Sequence, residues 1–340
     1  MRNKALLLVI LVAMLLVSAP AMAQSDVGTP ENPIQVYFVP SVEASIIVTG
    51  GDVMKAALEE ATGLSFEVAV PTSYAATIEA MCASPSNSIG FIPAAGFVVA
   101  SERCGVEVGA AAVRFGWSVY WAEYIVRRDS PIFTFGDLAG KTWGYGDVTS
   151  TSGYIVPATE LANAGIEVGD TVETGGHNQT VLAVYNGEVD FGTTFYSPPL
   201  MPEGHAAWQL GDLAEPWDLT VDESYVSDDG SKLFVGDIRV MDARANVRDT
   251  APDIVDQVRV LRVSQPIPND TLSFGPEFPE ELRTQIIDAL IAFSGTEEWA
   301  TSIGSPDFYG WTSIAPATDA DFDIVRAMVA NAPSLIDRYK

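Results

Sequence analysis

The sequence predicts an α/β protein of two lobes, each a mainly parallel sheet flanked by helices, with a ligand cleft between the lobes. Three observations lead to this prediction. The chain of 340 residues is too long for one small domain. Short apolar strands alternate with amphipathic helices twice along it, and glycine- and hydroxyl-rich loops follow strands of the second alternation. Because ligands of open parallel sheets bind beyond the carboxyl ends of the strands, two facing sheets would share one site.

The first 23 residues have the pattern of an export signal. Arg2 and Lys4 precede an apolar run over residues 5–17, and Ala21 and Ala23 form a small-x-small cleavage site. We therefore expect cleavage after Ala23 and a periplasmic or extracellular location. The alternative is a membrane anchor, which the short apolar run disfavours. Residues 24–33 read as a short leader.

The first alternation follows the leader. Strands are predicted at residues 34–39, 65–70 and 88–92, and helices at 51–61, 73–81 and 94–101. Apolar residues recur at helical spacing in the first helix, and Gly63 is its stop signal. This β-α-β-α-β-α order is typical of a parallel sheet covered on both faces.

The second alternation begins with a strand at residues 118–126. Further strands are predicted at 142–145, 171–173, 189–192 and 258–263, and helices at 153–164 and 178–185. Residues 201–255 are loop-rich and acidic and read as an elaboration of the second lobe. Helical stretches at 280–293, 296–303 and 320–330 would return to the first lobe. The predicted division assigns residues 34–126 and 267–340 to the first lobe and 127–266 to the second.

The composition excludes several classes of partner. The formal net charge of −27 argues against nucleic acid and against adsorption to anionic lipid. It does not exclude a small anionic ligand, because local dipoles and hydrogen bonds decide an enclosed site. With 48% hydrophobic residues the chain can bury a core. We expect a monomer.

The two cysteines, Cys82 and Cys104, are expected to form a disulfide, since an exported protein meets oxidising conditions. The alternative is two unpaired buried thiols. Two cysteines and two histidines, all far apart in sequence, give no metal-ligand spacing, so we predict neither a metal nor another cofactor.

The most informative motif is a hydroxyl-rich loop between a predicted strand and a predicted helix. Ser150, Thr151 and Ser152 stand in a row before Gly153. The start of a helix has unpaired N–H groups and a positive dipole end, so it favours an anion. The alternative is plain N-capping by one hydroxyl side chain, which is common.

A second loop of the same kind carries His177 after Gly175 and Gly176. An imidazole at a helix start can donate a hydrogen bond to an oxyanion. A lone histidine is more often structural or merely exposed.

Five stretches together resemble the phosphate/phosphite/phosphonate-binding proteins of ABC importers. They are residues 72–75 (TSYA), 120–131 (YWAEYIVRRDSP), 146–157 (GDVTSTSGYIVP), 176–184 (GHNQTVLAV) and 266–270 (PIPND). The resemblance spans about residues 34–310. It implies the type II periplasmic-binding-protein fold, a small oxyanion ligand and the membrane subunits of an ABC importer as partners.

The resemblance also implies roles for seven residues: Tyr74, Tyr120, Ser150, Thr151, Ser152, His177 and Asp270. The hydroxyls and His177 would donate to the ligand, with both tyrosines closing from the first lobe, and Asp270 would accept from a protonated oxygen. Core packing is the alternative for the tyrosines, and an exposed turn for Asp270. Family members that take amino-alkylphosphonates have a carboxylate after the strand at 189–192. Residues 193–197 (TTFYS) have none, which disfavours an amino-substituted ligand.

Three other functions remain open at this point. A binding protein for another solute, such as a sulfonate or a vitamin precursor, would have the same architecture. A hydrolase could use Ser152 as nucleophile and His177 as base, although no nucleophile-elbow motif is present. A sensor partner for a membrane kinase is the third. We expect no catalytic residues.

Overall fold

The computed structural model describes residues 26–330, so the predicted export signal and its cleavage site lie outside the described residues. The described chain forms two six-stranded sheets, each packed against helices. Separate hydrophobic cores fill the two halves. We call each sheet with its helices a lobe. Within residues 26–330, no helix has the length and apolar character needed to cross a membrane.

The first sheet has a parallel and an antiparallel part, so it is mixed rather than mainly parallel. Its strands are, in chain order, β1 (Ile34–Phe38), β2 (Phe66–Ala69), β3 (Ser88–Ile92), β4 (Glu107–Val113), β14 (Thr271–Phe274) and β15 (Ser313–Pro316). The three predicted strands β1, β2 and β3 pair in parallel. β4, β14 and β15 were not predicted, and they pair antiparallel.

Within residues 26–330, five helices belong to the first lobe: α1 (Ala44–Thr62), α2 (Tyr74–Ala83), α3 (Ala94–Cys104), α7 (Glu280–Phe293) and α8 (Asp323–Ala330). α7 packs against α1 and α8 against α3, so the chain end returns to the first lobe as expected. The stretch predicted at 296–303 forms only a short 3-10 turn, Glu298–Thr301. Cys82 and Cys104 form a disulfide between α2 and α3, which confirms that prediction.

The second sheet is also mixed. Its strands are β5 (Val119–Arg127), β6 (Trp143–Tyr145), β7 (Thr171–Glu173), β8 (Phe191–Tyr196), β12 (Val258–Val263) and β13 (Ile267–Pro268). β6 pairs in parallel with β7 and β8, and β5 pairs antiparallel with β8, β12 and β13. The helices are α4 (Val156–Asn163) and α5 (His177–Tyr185). Because β6, β7 and β8 run in parallel, the loops that follow them meet at one edge.

The chain crosses between the lobes earlier than predicted. The sequence analysis counted residues up to 126 in the first lobe, but β5 pairs wholly within the second sheet. The crossing is a two-residue hairpin turn in which Arg114 and Trp117 exchange backbone hydrogen bonds of 2.9 Å. Phe115 and Gly116 have φ of 51° and 85°, as such turns require. Asn269, in the return crossing, donates to the carbonyls of Ala112 and Trp117 at 2.9 and 2.8 Å.

The segment of residues 201–255 carries a third, three-stranded sheet. It consists of β9 (Ser224–Val226), β10 (Leu233–Val235) and β11 (Ile238–Arg239), and it is followed by a 3-10 turn, Ala243–Val247, and the short helix α6 (Ile254–Gln257). Arg244 is fully buried in the 3-10 turn and pairs with Asp242 at 2.9 Å and with Glu215. Glu215 also pairs with Arg128 at 2.9 Å. This network fixes the segment to the main body of the second lobe.

Candidate functional site

The loops after β6 and β7 are tied together at the edge of the second sheet. Thr174 and Gly175 donate backbone hydrogen bonds to the carbonyls of Tyr145 and Gly146 at 2.8 and 3.0 Å. A Cβ on Gly146 would lie 2.8 Å from the carbonyl carbon of Gly176, so only glycine permits this approach. The two motifs found in the sequence are therefore held side by side.

The hydroxyl-rich loop leads into a π-helical turn, Thr151–Ile155, that continues as α4. Ser150 accepts a hydrogen bond from the backbone N–H of Gly153 at 3.1 Å, which is the capping role considered as an alternative. Thr151 instead accepts from the backbone N–H of Ala95 in the first lobe at 3.1 Å. Interactions with the hydroxyls of Ser152 and Thr151 oppose the rise in the pKa of Tyr120 that burial causes. All three hydroxyl residues are buried.

A cavity lies between the lobes. Its volume is about 70 Å³, measured as the space that the centre of a water molecule can occupy. Six of the seven predicted residues line it: Tyr74, Tyr120, Ser150, Ser152, His177 and Asp270. Thr151 does not, because its side chain is turned to Ala95. Phe195 forms an apolar part of the wall and meets the edge of the His177 ring, with ring centroids 5.2 Å apart.

His177 is buried, and burial together with the nearby Arg114 guanidinium lowers its pKa to about 4. The imidazole is therefore neutral near neutral pH. Its Nδ1 has no hydrogen-bond partner among the described residues. A buried nitrogen without a partner is costly unless a ligand satisfies it.

Only one of the two tyrosines lies in the lobe that the resemblance implies. Tyr74 begins α2 in the first lobe, but Tyr120 lies on β5 of the second sheet, beside Ile267. The sequence could not show which sheet β5 joins, since buried strands of either sheet have the same apolar pattern. Burial raises the pKa of both phenols, so both remain hydrogen-bond donors.

Asp270 is not a lone carboxylate. Arg114 Nη2 donates to Asp270 Oδ2 at 2.6 Å, and the guanidinium lies over the Tyr120 ring, 5.5 Å from its centroid. Arg114 Nε is buried without a partner among residues 26–330. Arg114 was not predicted as a site residue, although it is the one arginine within the largely apolar residues 106–126, which was an available signal.

The cavity has a positive lining in an acidic chain. Besides Arg114, it is lined by Lys232, Arg239 and Arg248 from the segment of residues 201–255, which the sequence analysis did not connect with the site. Asp270 is the one carboxylate among its described lining residues. An adjoining cleft shares Tyr74, Ser150 and His177 but has acidic residues, Asp147 and Glu173. The two sides of the site thus differ in charge.

Among the described residues, three polar contacts join the lobes around the cavity. Thr151 binds Ala95, as described, and Gln179 donates to Glu43 at 3.1 Å. Arg248 makes two hydrogen bonds to Asp307, at 3.0 and 3.2 Å. The cavity is therefore enclosed from both lobes. The described residues contain no group of three or more potential metal-ligating side chains of the kind that could hold an ion.

Two sheet-based lobes that enclose a polar cavity define the class of hinged solute-binding proteins. The family model described as "ABC transporter, phosphonate, periplasmic substrate-binding protein" matches residues 36–322. The chain belongs to this family, whose members are the periplasmic substrate-binding components of phosphonate ABC transporters.

Two curated proteins are similar in sequence. The phosphonates-binding periplasmic protein of Escherichia coli is 39% identical over 102 residues, which are 28% of this chain and 30% of that protein. The phosphate-import protein PhnD of Mycolicibacterium smegmatis is 25% identical over 316 residues, covering 88% of this chain and 85% of that protein.

Solved structures share the fold. A binding protein of a phosphonate ABC transporter from Pseudomonas aeruginosa has a TM-score of 0.66 at 18% identity, covering 90% of this chain and 88% of that one. PhnD1 from Prochlorococcus marinus in complex with methylphosphonate has a TM-score of 0.65 at 11% identity, covering 88% and 98%. The predicted type II periplasmic-binding-protein fold is confirmed.

Proposed function

We propose that this chain captures a small phosphorus oxyanion, namely phosphite, an alkylphosphonate or phosphate, outside the cytoplasm and delivers it to the membrane subunits of an ABC importer. The single observation that carries the proposal is the cavity, which collects hydroxyl donors of both lobes around the Arg114–Asp270 pair. The family and the two curated relatives support the same ligand class.

The donors suit a tetrahedral oxyanion. Ser152, Tyr74 and Tyr120 present hydroxyl groups to one cavity, and His177 adds a neutral imidazole. The Arg114 guanidinium supplies positive charge that the sequence analysis had not counted. Because the site is enclosed, these groups act at short range and the net charge of the chain is largely screened.

Asp270 supplies discrimination among oxyanions. An ionised carboxylate can only accept hydrogen bonds, and Arg114 occupies only Oδ2. A monobasic phosphorus oxyanion has an O–H to donate, whereas sulfate and sulfonates have none. Facing a fully ionised ligand, the carboxylate would be a like charge in a closed cavity. The apolar Phe195 favours a P–H or P–CH₃ group, so we rank phosphite and methylphosphonate above phosphate.

Titration calorimetry with methylphosphonate and methanesulfonate, which have the same shape, tests this proposal. The wild type is expected to bind methylphosphonate and to ignore methanesulfonate and sulfate. Asp270→Asn should reduce this preference at least ten-fold, since an amide can donate to the sulfonate oxygen. Asp288→Asn, which removes an exposed charge on α7, serves as control. Equal wild-type affinity for the two ligands would contradict the role of Asp270 and favour a sulfonate-binding protein.

The proposed role is binding without turnover. Within residues 26–330 no hydrogen bond joins Ser152 to His177, and no carboxylate orients the unpartnered Nδ1. Hydrolases of the serine–histidine type need both contacts. Incubation with aryl phosphates and esters is expected to release no phenol.

A further inference from the structure

We infer that the cavity holds a second anion subsite at Arg239, so that the preferred ligand is a phosphorus oxyanion whose substituent carries another anionic group, such as a carboxylate. This inference rests on the proposed function and narrows its ligand class. It depends on the position of Arg239, its lack of a partner, the surrounding charge and the available space.

Arg239 is held rigidly at the cavity wall. Its strand β11 pairs with β10, and its backbone N–H and C=O both bond Leu200, each at 3.0 Å. The side chain lines the same cavity as Ser152 and Arg114. A site on a fixed strand positions a ligand group more accurately than a site on a mobile loop.

The Arg239 guanidinium has no hydrogen-bond or ion-pair partner among residues 26–330, and its Nε is buried. Burial is the main cause that lowers its pKa, followed by the charge of Arg248, while Asp307 and Asp229 act in the opposite direction. The Arg239 side chain is half-buried, and partial desolvation of an unpaired charge is costly. An anionic ligand group would satisfy these donors.

The guanidinium of the neighbouring Arg248 already donates hydrogen bonds to protein groups. Its Nε donates to Gly230 O at 2.8 Å, its Nη1 donates to Ala245 O at 2.8 Å, and both Nη atoms bind Asp307. Arg248 therefore adds fixed charge, whereas Arg239 offers free donors. Lys232 contributes a further exposed cation to the same wall.

The cavity has more space than one tetrahedral group needs. A single water occupies about 10–15 Å³ on this measure, so the 70 Å³ cavity holds on the order of five to seven waters. A phosphonate head of five heavy atoms fills only part of it. The remainder can accommodate a short substituent that reaches toward Arg239.

Titration calorimetry with chemically matched ligands tests the subsite. The probes are methylphosphonate, phosphonoacetate, 3-phosphonopropionate, and 2-oxopropylphosphonate, which is the neutral counterpart of phosphonoacetate. We expect at least one of the two carboxylated ligands to bind about ten-fold or more tightly than methylphosphonate and 2-oxopropylphosphonate, as a charge-assisted hydrogen bond allows. 2-Aminoethylphosphonate should bind more weakly than methylphosphonate, because its ammonium would meet the guanidinium.

Two variants test whether the carboxylate advantage depends on Arg239 itself or on the positive charge of the lobe in general. Arg239→Gln should abolish the advantage of the carboxylated ligand, and methylphosphonate should still bind measurably, which shows that the variant is folded. Arg259→Gln removes a partly buried arginine of β12 that does not line the cavity, and it should keep the advantage.

The outcomes are distinguishable. A wild type that binds methylphosphonate but gains nothing from either carboxylate, or that prefers 2-aminoethylphosphonate, overturns the subsite and leaves the proposed function intact. An advantage that survives Arg239→Gln also overturns it. A wild type that binds phosphite or phosphate but no phosphonate overturns the subsite alone, and one that binds no phosphorus oxyanion at all overturns both.

Discussion

His177 is a neutral imidazole in a cavity that already holds the Arg114 guanidinium. Its ordinary pKa of 6.5 falls to about 4 in the folded protein, chiefly through burial. Between these two pH values the unfolded state binds a proton that the native state does not. Stability is therefore fully present above pH 6.5 and is lost progressively as the pH falls toward 4.

Replacing His177 with glutamine should remove this part of the acid sensitivity. On lowering the pH from 7 to 4.5, the wild type should lose about 2–3 kcal/mol more unfolding free energy than His177→Gln. Urea unfolding at both pH values measures the difference. His205→Gln removes an exposed histidine and should behave like the wild type. Identical pH dependence of the wild type and His177→Gln would contradict the buried neutral state.

From the residues alone, site residues were predictable only where they belong to a recognisable local motif. Ser150, Ser152 and His177 follow strands in glycine-rich loops, and that context is visible along the chain. Arg239 lies on β11 and reaches the cavity through strand pairing in the segment of residues 201–255. Its neighbours in the sequence gave no sign of a shared cavity.

At the scale of elements, the loops after β6 and β7 act as one unit because their backbones touch. A methyl group on Gly146 would meet the backbone of Gly176, whose carbonyl carbon would lie 2.8 Å away. Backbone atoms cannot yield as the end of a flexible side chain can. The geometry of the hydroxyl loop relative to His177 therefore depends on a glycine.

Gly146→Ala should push the two loops apart. Overpacking of this kind costs about 1–3 kcal/mol, so we expect a lower melting temperature and at least a ten-fold loss of methylphosphonate affinity. Gly136→Ala is the matched control, since its Cβ would meet only the Thr134 hydroxyl at 3.9 Å. Calorimetry and thermal unfolding of both variants provide the test. Unchanged ligand affinity in Gly146→Ala would show that the loops are positioned in another way.

The elements predicted best were those with strong local sequence patterns. β3, β7, β12 and α7 have the predicted bounds, because β-α-β alternation and helical periodicity are strong signals. β4 was missed since its sequence, EVGAAAV, is rich in residues of low strand propensity. β14 and β15 have four residues each and gain their stability by pairing with distant strands.

At the scale of the whole molecule, the chain has a net charge of −27 but can bind an anion because positive side chains are concentrated at the cavity. Four cations line the cavity, while most acidic residues lie on the surface or in ion pairs. Surface charges more than about 8 Å from the ligand are screened at physiological salt, so the cavity field is local. As salt is raised from very low concentrations, we expect the affinity for methylphosphonate to rise, because the repulsion by surface carboxylates is screened first. At higher salt, screening of the cavity cations should offset this rise.

Closure of the lobes should depend on the Arg248–Asp307 pair. It is the bidentate contact between the 201–255 segment and the first lobe, and half-exposed pairs of this kind contribute about 0.5–1 kcal/mol. Asp307→Asn should therefore weaken methylphosphonate binding about two- to five-fold, mainly through faster dissociation, because the ligand leaves from the opened state.

Small-angle scattering should show compaction of the wild type on saturation and less compaction of the variant at equal ligand concentration. Asp129→Asn, which breaks an exposed arginine pair within the second lobe, should change neither quantity. A radius of gyration that is unchanged by ligand in the wild type would contradict hinged closure and would leave the Arg248–Asp307 pair as a static contact.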